Sequence, residues 1–390
     1  MNPPRTSIHV AGTGLRGSGY PNAPGTLAIL RGLPGITVHD RARWLPEGTT
    51  LWRKAGSGVG SLLFLARLAW LNALEAIRVL PLARDRSAWV YAPYPSIFLL
   101  WWLSWLPRRW RPRVVADAYV SLWDAAFRDR GVASEGALVS RLFRRFEARA
   151  LRAADRVHVD TVANRDWFIG TLGIAEGRIR AIPLALQLPA GAATADAGGA
   201  AGDRALKVLF IGTLVPLHGV GVIAGAAARL VSEGANVEFT FVGDGQDHKA
   251  LDALLALPHA GRVAWIRDWQ DMDSLGRYLR EADVCLGVFG GEGKASRVLP
   301  FKVYLALAAG KAVVTQAGMS MPQDVPPPPL ISVPADADRL AEALRSLVSD
   351  RARLAALSRQ AGDYFAAHLS AQRIAGEWLA LLNDATTTAP

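Results

Sequence analysis

Short apolar runs rich in β-branched residues alternate with helix-length segments along this chain. The alternation runs twice, once on each side of Ala190–Asp203 (AGAATADAGGAAGD), a stretch of small residues with nothing to bury. Strands are expected at Ser7–Ala11, Ala88–Tyr91, Arg113–Ala116 and Arg156–Asp160 before that stretch. After it they are expected at Lys207–Ile211, Glu238–Val242, Val263–Ile266, Val284–Val288 and Ala312–Thr315. Strands that alternate with helices pair in parallel, with helices covering both faces of the sheet. The expected fold class is therefore α/β: two Rossmann-like doubly wound domains in tandem, facing across a cleft lined by the C-terminal ends of their strands. The 390 residues have room for a first domain over 1–187, a linker over 188–203, a second domain over 204–366 and a tail over 367–390. In that tail His368–Leu382 is expected to form a helix that crosses back to the first domain.

Hydrophobic residues make up 51% of the chain and charged residues 20%, which supplies two cores and excludes a mostly disordered polypeptide. The single cysteine, Cys285, excludes a disulfide framework or a cysteine-based zinc site and fits a reducing compartment. The start, MNPPRTSIHVAG, lacks a secretion signal pattern, and no run of about 18 uncharged apolar residues offers a membrane span. A cytoplasmic location is expected.

Charge is distributed unevenly. Residues 1–190 hold 26 Lys and Arg against 13 Asp and Glu, a net of +13, while the remainder holds 18 against 21, a net of −3. A basic half implies a polyanionic partner: nucleic acid, an anionic membrane or a phosphorylated substrate. Composition alone leaves the three open.

Two segments of the basic half point toward a membrane surface. Ser61–Leu80 is almost wholly apolar, and at about 100° per residue Arg67, Glu75 and Arg78 fall on one side of a helix. Ile97–Leu106 (IFLLWWLSWL) runs directly into PRRWRPR. Ten residues cannot span a bilayer, but tryptophan beside arginine is typical of an interfacial anchor. Trp101, Trp102, Trp105, Arg108, Arg109 and Arg111 are thus expected to meet an anionic membrane, with two ordinary core helices as the alternative. A third segment, Arg141–Arg156, places Arg141, Arg145, Arg149, Arg152 and Arg156 on one helix face and Leu142, Phe143, Phe146 and Ala150 on the other. It reads as a solvated basic face. The aromatics lie in apolar runs and no nucleic-acid module accompanies the arginines, so nucleic acid is not an expected partner.

The chemistry gathers after the linker. Val208–Gly219 (VLFIGTLVPLHG) reads as a strand, a glycine turn at Gly212 and Thr213, and a helix start at His218 and Gly219. A helix N-terminus after such a turn offers free N–H groups and a positive dipole end to phosphate, although many sheet proteins turn this way and bind nothing. Phe239–Gly245 (FTFVGDG) is another strand ending in glycine turns, at Gly243 and Gly245. In Gly287–Tyr304 a glycine-rich loop carries Glu292, Lys294 and Arg297, and Lys302 opens the helix after Pro300. Three cations near a helix N-terminus without an acidic metal cluster suggest metal-free neutralisation of a diphosphate; a basic surface loop is the alternative.

The order GTLVPLHG, FVGDGQ, ADVCLGVFG and RVLPFKVYLALAAGKAVVT resembles the donor half of family-four retaining glycosyltransferases of the GT-B fold, nearest the bacterial cell-surface polysaccharide branch. In the first half Asp117–Asp124 (DAYVSLWD), Asp129-Arg130 and Ala154–Thr161 (ADRVHVDT) are similar to that branch's acceptor-side segments. The resemblance implies a nucleoside diphosphate sugar as donor, a lipid-linked or saccharide acceptor, retention of configuration, no cofactor and no metal. It also implies a peripheral position on the inner face of the cell membrane. By motif position Gly212, Thr213, His218 and Gly219 would hold diphosphate, and Gly243 and Gly245 would line the nucleotide side. Glu292, Lys294 and Arg297 would sit near sugar and phosphates beside Lys302. Asp117, at the end of a first-domain strand, would serve as a catalytic carboxylate, as would Glu292; for Asp117 a structural carboxylate is the alternative.

Two departures stand out: relatives often carry a basic residue where Thr213 stands, and an acidic residue that grips the ribose where Leu305 stands. A non-catalytic, membrane-associated partner in a polysaccharide complex, or a nucleotide-sugar epimerase on the same fold, are the alternative functions.

Overall fold

The computed structural model describes residues 6–17, 20–47, 49, 59–186, 204–258, 260–291 and 293–383. The linker expected over 188–203 lies outside the described residues, as does Glu292. The chain divides into two compact units, Met1–Ala185 with Ala371–Pro390, and Leu186–Ser370.

The first unit is built on β1 (Thr6–Val10), β3 (Ile36–Asp40), β5 (Ala88–Ala92), β6 (Arg113–Asp117), β7 (Arg156–Val159) and β8 (Ile179–Ala181), with a small pair, β2 (Thr13–Gly14) and β4 (Arg43–Trp44), beside them. The strand order is β3-β1-β5-β6-β7-β8, and every neighbouring pair is parallel. All five residues of β5 are buried, as expected of a central strand covered on both faces. One face packs into a core with Val90, Leu99, Leu100 and Leu151. The other packs Ile8, Leu27, Trp89 and Tyr91 against Ile374, Trp378 and Leu381 of the tail helix Ala371–Asn383.

The second unit is built on β9 (Leu206–Ile211), β10 (Val237–Val242), β11 (Val263–Ile266), β12 (Val284–Leu286), β13 (Ala312–Gln316) and β14 (Ile331–Val333). Its order, β11-β10-β9-β12-β13-β14, is again all parallel. The chain winds outward from β9 in one direction and from β12 in the other. The loops leaving β9 and β12 therefore border the topological switch point, where open parallel sheets bind ligands.

The expected doubly wound sheets are present in both units, and each expected strand forms, with ends shifted by one or two residues. Sequence reading missed β3, β8 and β14. All three lie at or near sheet edges, where strands are short and carry polar residues, so the apolar signal is weak. The basic segment Arg141–Arg156 is corrected as well: its helix is Leu138–Leu151, and Arg156 is a buried residue of β7.

Candidate functional site

At the switch point of the second unit, the loops leaving β9, β10 and β12 are laced together through main chain. The Leu214 N–H donates to the Asp244 carbonyl (3.2 Å), Asp247 to Leu214 (3.0 Å) and Phe289 to His218 (3.1 Å). This close packing needs glycine. Gly219 has φ +63°, and a Cβ there would lie 2.1 Å from the Phe289 oxygen; a Cβ at Gly243 would lie 2.2 Å from the Gly212 oxygen. Gly245 likewise runs directly against the Leu214 main chain. After β12, Thr315 and Gln316 at the end of β13 hold the loop in place. The Thr315 hydroxyl bonds both the N–H and the carbonyl of Val288, and the Gln316 amide bonds both main-chain groups of Gly291 (2.8 and 2.7 Å). Neither residue was singled out from sequence; their signal is a pair of polar residues closing an otherwise apolar strand.

Lys302 lies in the first turn of the helix Phe301–Ala308, which Pro300 precedes as N-cap. Its amine is buried, 3.9 Å above the Phe210 ring, and finds no hydrogen-bond partner among the described residues. It approaches the Gly212 turn so closely that a Cβ on Gly212 would lie 2.6 Å from Nζ. Burial drives the Lys302 pKa well below its ordinary 10.5, because the charged form has lost its water. His218 borders the same turn. Its Nδ1 faces the Thr213 carbonyl, which only accepts, so Nδ1 carries the proton and Nε2 is set by that choice. Thr213 itself is exposed. The sequence-predicted Gly212, Thr213, His218, Gly219 and Lys302 thus converge.

Arg297 is half-buried at the end of the short helix Lys294–Arg297, which packs against the turn Pro216–His218. The Lys294 side chain lies outside what is described. Gly243 and Gly245 flank Asp244, whose carboxylate pairs with Arg267 (3.2 Å), and that guanidinium lies 4.3 Å over the Trp265 ring. Leu305 is buried in the interior of its helix, so the position where relatives carry an acidic residue belongs to packed core here.

In the first unit Asp117, expected as a catalytic carboxylate, lies in the interior. Its carboxylate is wholly buried. Oδ2 accepts from the Tyr91 hydroxyl (2.8 Å) and the Asn22 amide (3.1 Å), Oδ1 from the same amide (3.2 Å), and His158 Nδ1 lies 3.3 Å away. Burial and the neighbouring carboxylate hold the Tyr91 phenol far above its ordinary pKa, so it remains a donor. Asp117 braces β5, β6, β7 and the helix Asn22–Arg31 from the interior. Close by, the buried Tyr94 stacks on Tyr20 (5.7 Å) and meets Tyr119 at a tilt (5.2 Å).

A second buried carboxylate escaped sequence reading. Glu147 accepts from the Leu122 and Trp123 N–H groups (2.7 and 2.9 Å) and the Ser121 hydroxyl (2.8 Å), which anchors the start of the helix Leu122–Phe127. Burial outweighs these bonds and raises its pKa to about 7.

The membrane expectations divide in the same way. Trp105 and Trp102 are exposed (59% and 38%), as is Arg109. Trp101 instead turns inward onto Phe146 (4.6 Å), Arg111 reaches the Ala153 carbonyl, and Arg108 pairs with Asp155 (2.7 Å).

Two parallel doubly wound units, one with glycine-laced loops at its switch point, define a two-domain α/β protein. Residues 15–185 match the family described as Glycosyl transferase 4-like domain, and residues 205–350 match Glycosyl transferases group 1. The chain belongs to the glycosyltransferases of the GT-B fold.

Solved structures of similar fold agree. HepE of Anabaena, in complex with UDP and glucose, is 15% identical with a TM-score of 0.66, over 97% of this chain and 100% of that one. Sucrose-phosphate synthase of Thermosynechococcus elongatus is 18% identical with a TM-score of 0.67, over 99% and 100%. TarM of S. aureus is 14% identical with a TM-score of 0.57, over 81% of this chain and 59% of that one. No curated protein matches the sequence.

Proposed function

We propose that this glycosyltransferase moves a sugar from a UDP-sugar to a saccharide or lipid-linked acceptor in cell-surface polysaccharide synthesis, retaining anomeric configuration and using no metal. The buried amine of Lys302, without a hydrogen-bond partner among the described residues and set against the glycine turn at Gly212, is the observation that carries this reading. A buried polar group without a partner is destabilising unless a ligand completes it, and a diphosphate supplies both the charge and the acceptor oxygens. HepE, which shares the fold, is solved with UDP and with UDP-glucose.

In this reading the main chain at Gly212 and Gly219, with His218, Arg297, Lys294 and Lys302, holds the diphosphate. Gly243 and Gly245 border the nucleoside, and Glu292 lies near the sugar. The bond between the sugar's anomeric carbon and the diphosphate breaks, and the acceptor oxygen bonds to that carbon on the same face. The departing diphosphate takes the acceptor's proton. The cations lower the barrier by stabilising the leaving charge, so no strong protein base is required and the burial of Asp117 is no obstacle. The exposed Trp102, Trp105 and Arg109 support work at the inner face of a membrane.

A donor panel tests the reading. UDP-sugars at 100 times their dissociation constant should raise stability by about 2.7 kcal/mol, and one of them should release UDP when acceptor is added. A chain that responds to no nucleoside diphosphate sugar is not a transferase of this kind.

A further inference from the structure

The helix Val59–Val79 buries Leu68, Asn72, Glu75, Ala76 and Val79 on one face and leaves a stripe of large apolar residues on the opposite face exposed. Leu63, Trp70 and Ile77 are each about two-thirds exposed (65%, 64% and 65%), and Leu74 is 39% exposed. At about 100° per residue these four fall within about 60° of one another, an outward stripe about 21 Å long. The inward face holds Asn72 and Glu75. Asn72 accepts from the Thr13 N–H (3.2 Å) and donates to the Thr13 hydroxyl (2.9 Å), while Glu75 pairs with Arg43 (3.3 Å) and Arg78 (2.7 Å). Rolling the helix to hide its apolar stripe would break every one of these contacts, so the outward orientation is fixed by the fold.

The surroundings carry one sign of charge. The helix Ile97–Leu103 packs against Val59–Val79 and also against Leu138–Leu151, and the Trp102 indole N–H donates to the Ala69 carbonyl (2.8 Å). The acidic residues of these three helices, Glu75 and Glu147, are both buried. Their arginines, Arg67, Arg78, Arg141, Arg144, Arg145 and Arg149, are all exposed. Arg149 lies 3.7 Å over the exposed Trp105 ring. An apolar stripe flanked by tryptophan and arginine matches a layer whose depth is hydrocarbon and whose surface is phosphate. A second copy of the chain would instead bring two arginine-rich surfaces together, and like charges oppose that contact.

We propose that the stripe Leu63, Trp70, Leu74 and Ile77 seats in the headgroup layer of an anionic phospholipid bilayer, with the helix lying in the plane of the surface. This rests on the membrane reading above and deepens it by naming, within the segment Ser61–Leu80 already expected at a membrane, the side chains that enter the lipid.

The test compares the whole chain with the double variant Trp70→Ser/Ile77→Ser. Both side chains are exposed, so the variant should keep its thermal midpoint and its UDP affinity. Flotation is measured with vesicles of phosphatidylcholine plus phosphatidylglycerol and with phosphatidylcholine alone. The wild-type chain should float with the anionic vesicles, and the variant's partitioning should fall at least about tenfold, the equivalent of 1.4 kcal/mol. Equal flotation of both proteins overturns the seat and leaves the membrane reading standing. A wild-type chain that floats with neither vesicle overturns both. A wild-type dimer in lipid-free solution that the substitutions convert to monomer shows that a second copy covers the stripe, and the lipid assignment fails.

Discussion

Asp117 and Lys302 are both buried ionisable groups at the C-terminal side of a parallel sheet, yet they do opposite work. Asp117 closes β6 and accepts hydrogen bonds from Asn22 and Tyr91, with His158 Nδ1 3.3 Å away. Lys302 points its amine at the end of β9 and has Phe210 below it and no hydrogen-bond partner among the described residues. Burial is common to both; satisfaction separates them. A buried group with every bond made holds a fold together, whereas one left open is completed by something that binds.

The largest effect should come from the satisfied group. Asp117→Ala leaves the Tyr91 hydroxyl, the Asn22 amide and His158 facing a void, and should lower unfolding stability by about 3–5 kcal/mol, as when one partner of a buried ionic cluster is removed. Denaturant unfolding measures it. A loss within about 0.5 kcal/mol, the range of a surface substitution, would make Asp117 a candidate catalytic group again.

Glu147 is an intermediate case, since its bonds are made but burial still wins. Its folded pKa of about 7 lies above the ordinary 4.5, so the folded protein binds more protons than the unfolded chain between those values. Stability should therefore fall as pH rises from about 4.5 to 7, by about 3 kcal/mol in total, and level off above. Glu147→Gln should flatten that slope in unfolding measured across the window. An unchanged slope would assign the drift to other groups.

The smallest change, and the most specific, is expected at the unsatisfied group. Lys302→Met should weaken UDP binding by about 1.5–3 kcal/mol, the range of a charged hydrogen bond, while stability holds or rises because an unpaired amine has left the interior. A lysine with a depressed folded pKa binds fewer protons folded than unfolded, so its contribution to stability grows as pH rises from that depressed value toward 10.5. Diphosphate should restore the charge. Calorimetry in buffers of different ionisation heat should show proton uptake on UDP binding above neutral pH in the wild type and none in Lys302→Met. Equal uptake in both would sink the pairing of Lys302 with phosphate.

Much of the fold was legible in the sequence because its signals are local. Alternation of apolar runs marked the central strands, and glycine turns marked Gly219, Gly243 and Gly245, where main chain packs against main chain, and Gly212, where the Lys302 and His218 side chains close in. The edge strands stayed hidden for two reasons: β3 is only partly buried and carries polar residues, and β8 and β14 are runs of three residues. Of the candidate site, residue types and spacing placed Lys302 beside a glycine loop, but nothing in the pattern announced Thr315 or Gln316, whose task is to hold that loop.

The sequence by itself determined two parallel doubly wound sheets and the cations near the β12 loop, since periodicity and turn chemistry act over a few residues. Only the tertiary structure decided what those side chains face. Asp117 became a brace because Asn22, 95 residues away, donates to it. The helix Val59–Val79 turned its apolar stripe outward because Asn72 is bound by Thr13, 59 residues away. Hydrogen-bond satisfaction is settled by partners distant in the chain, and no local pattern records which partners will arrive.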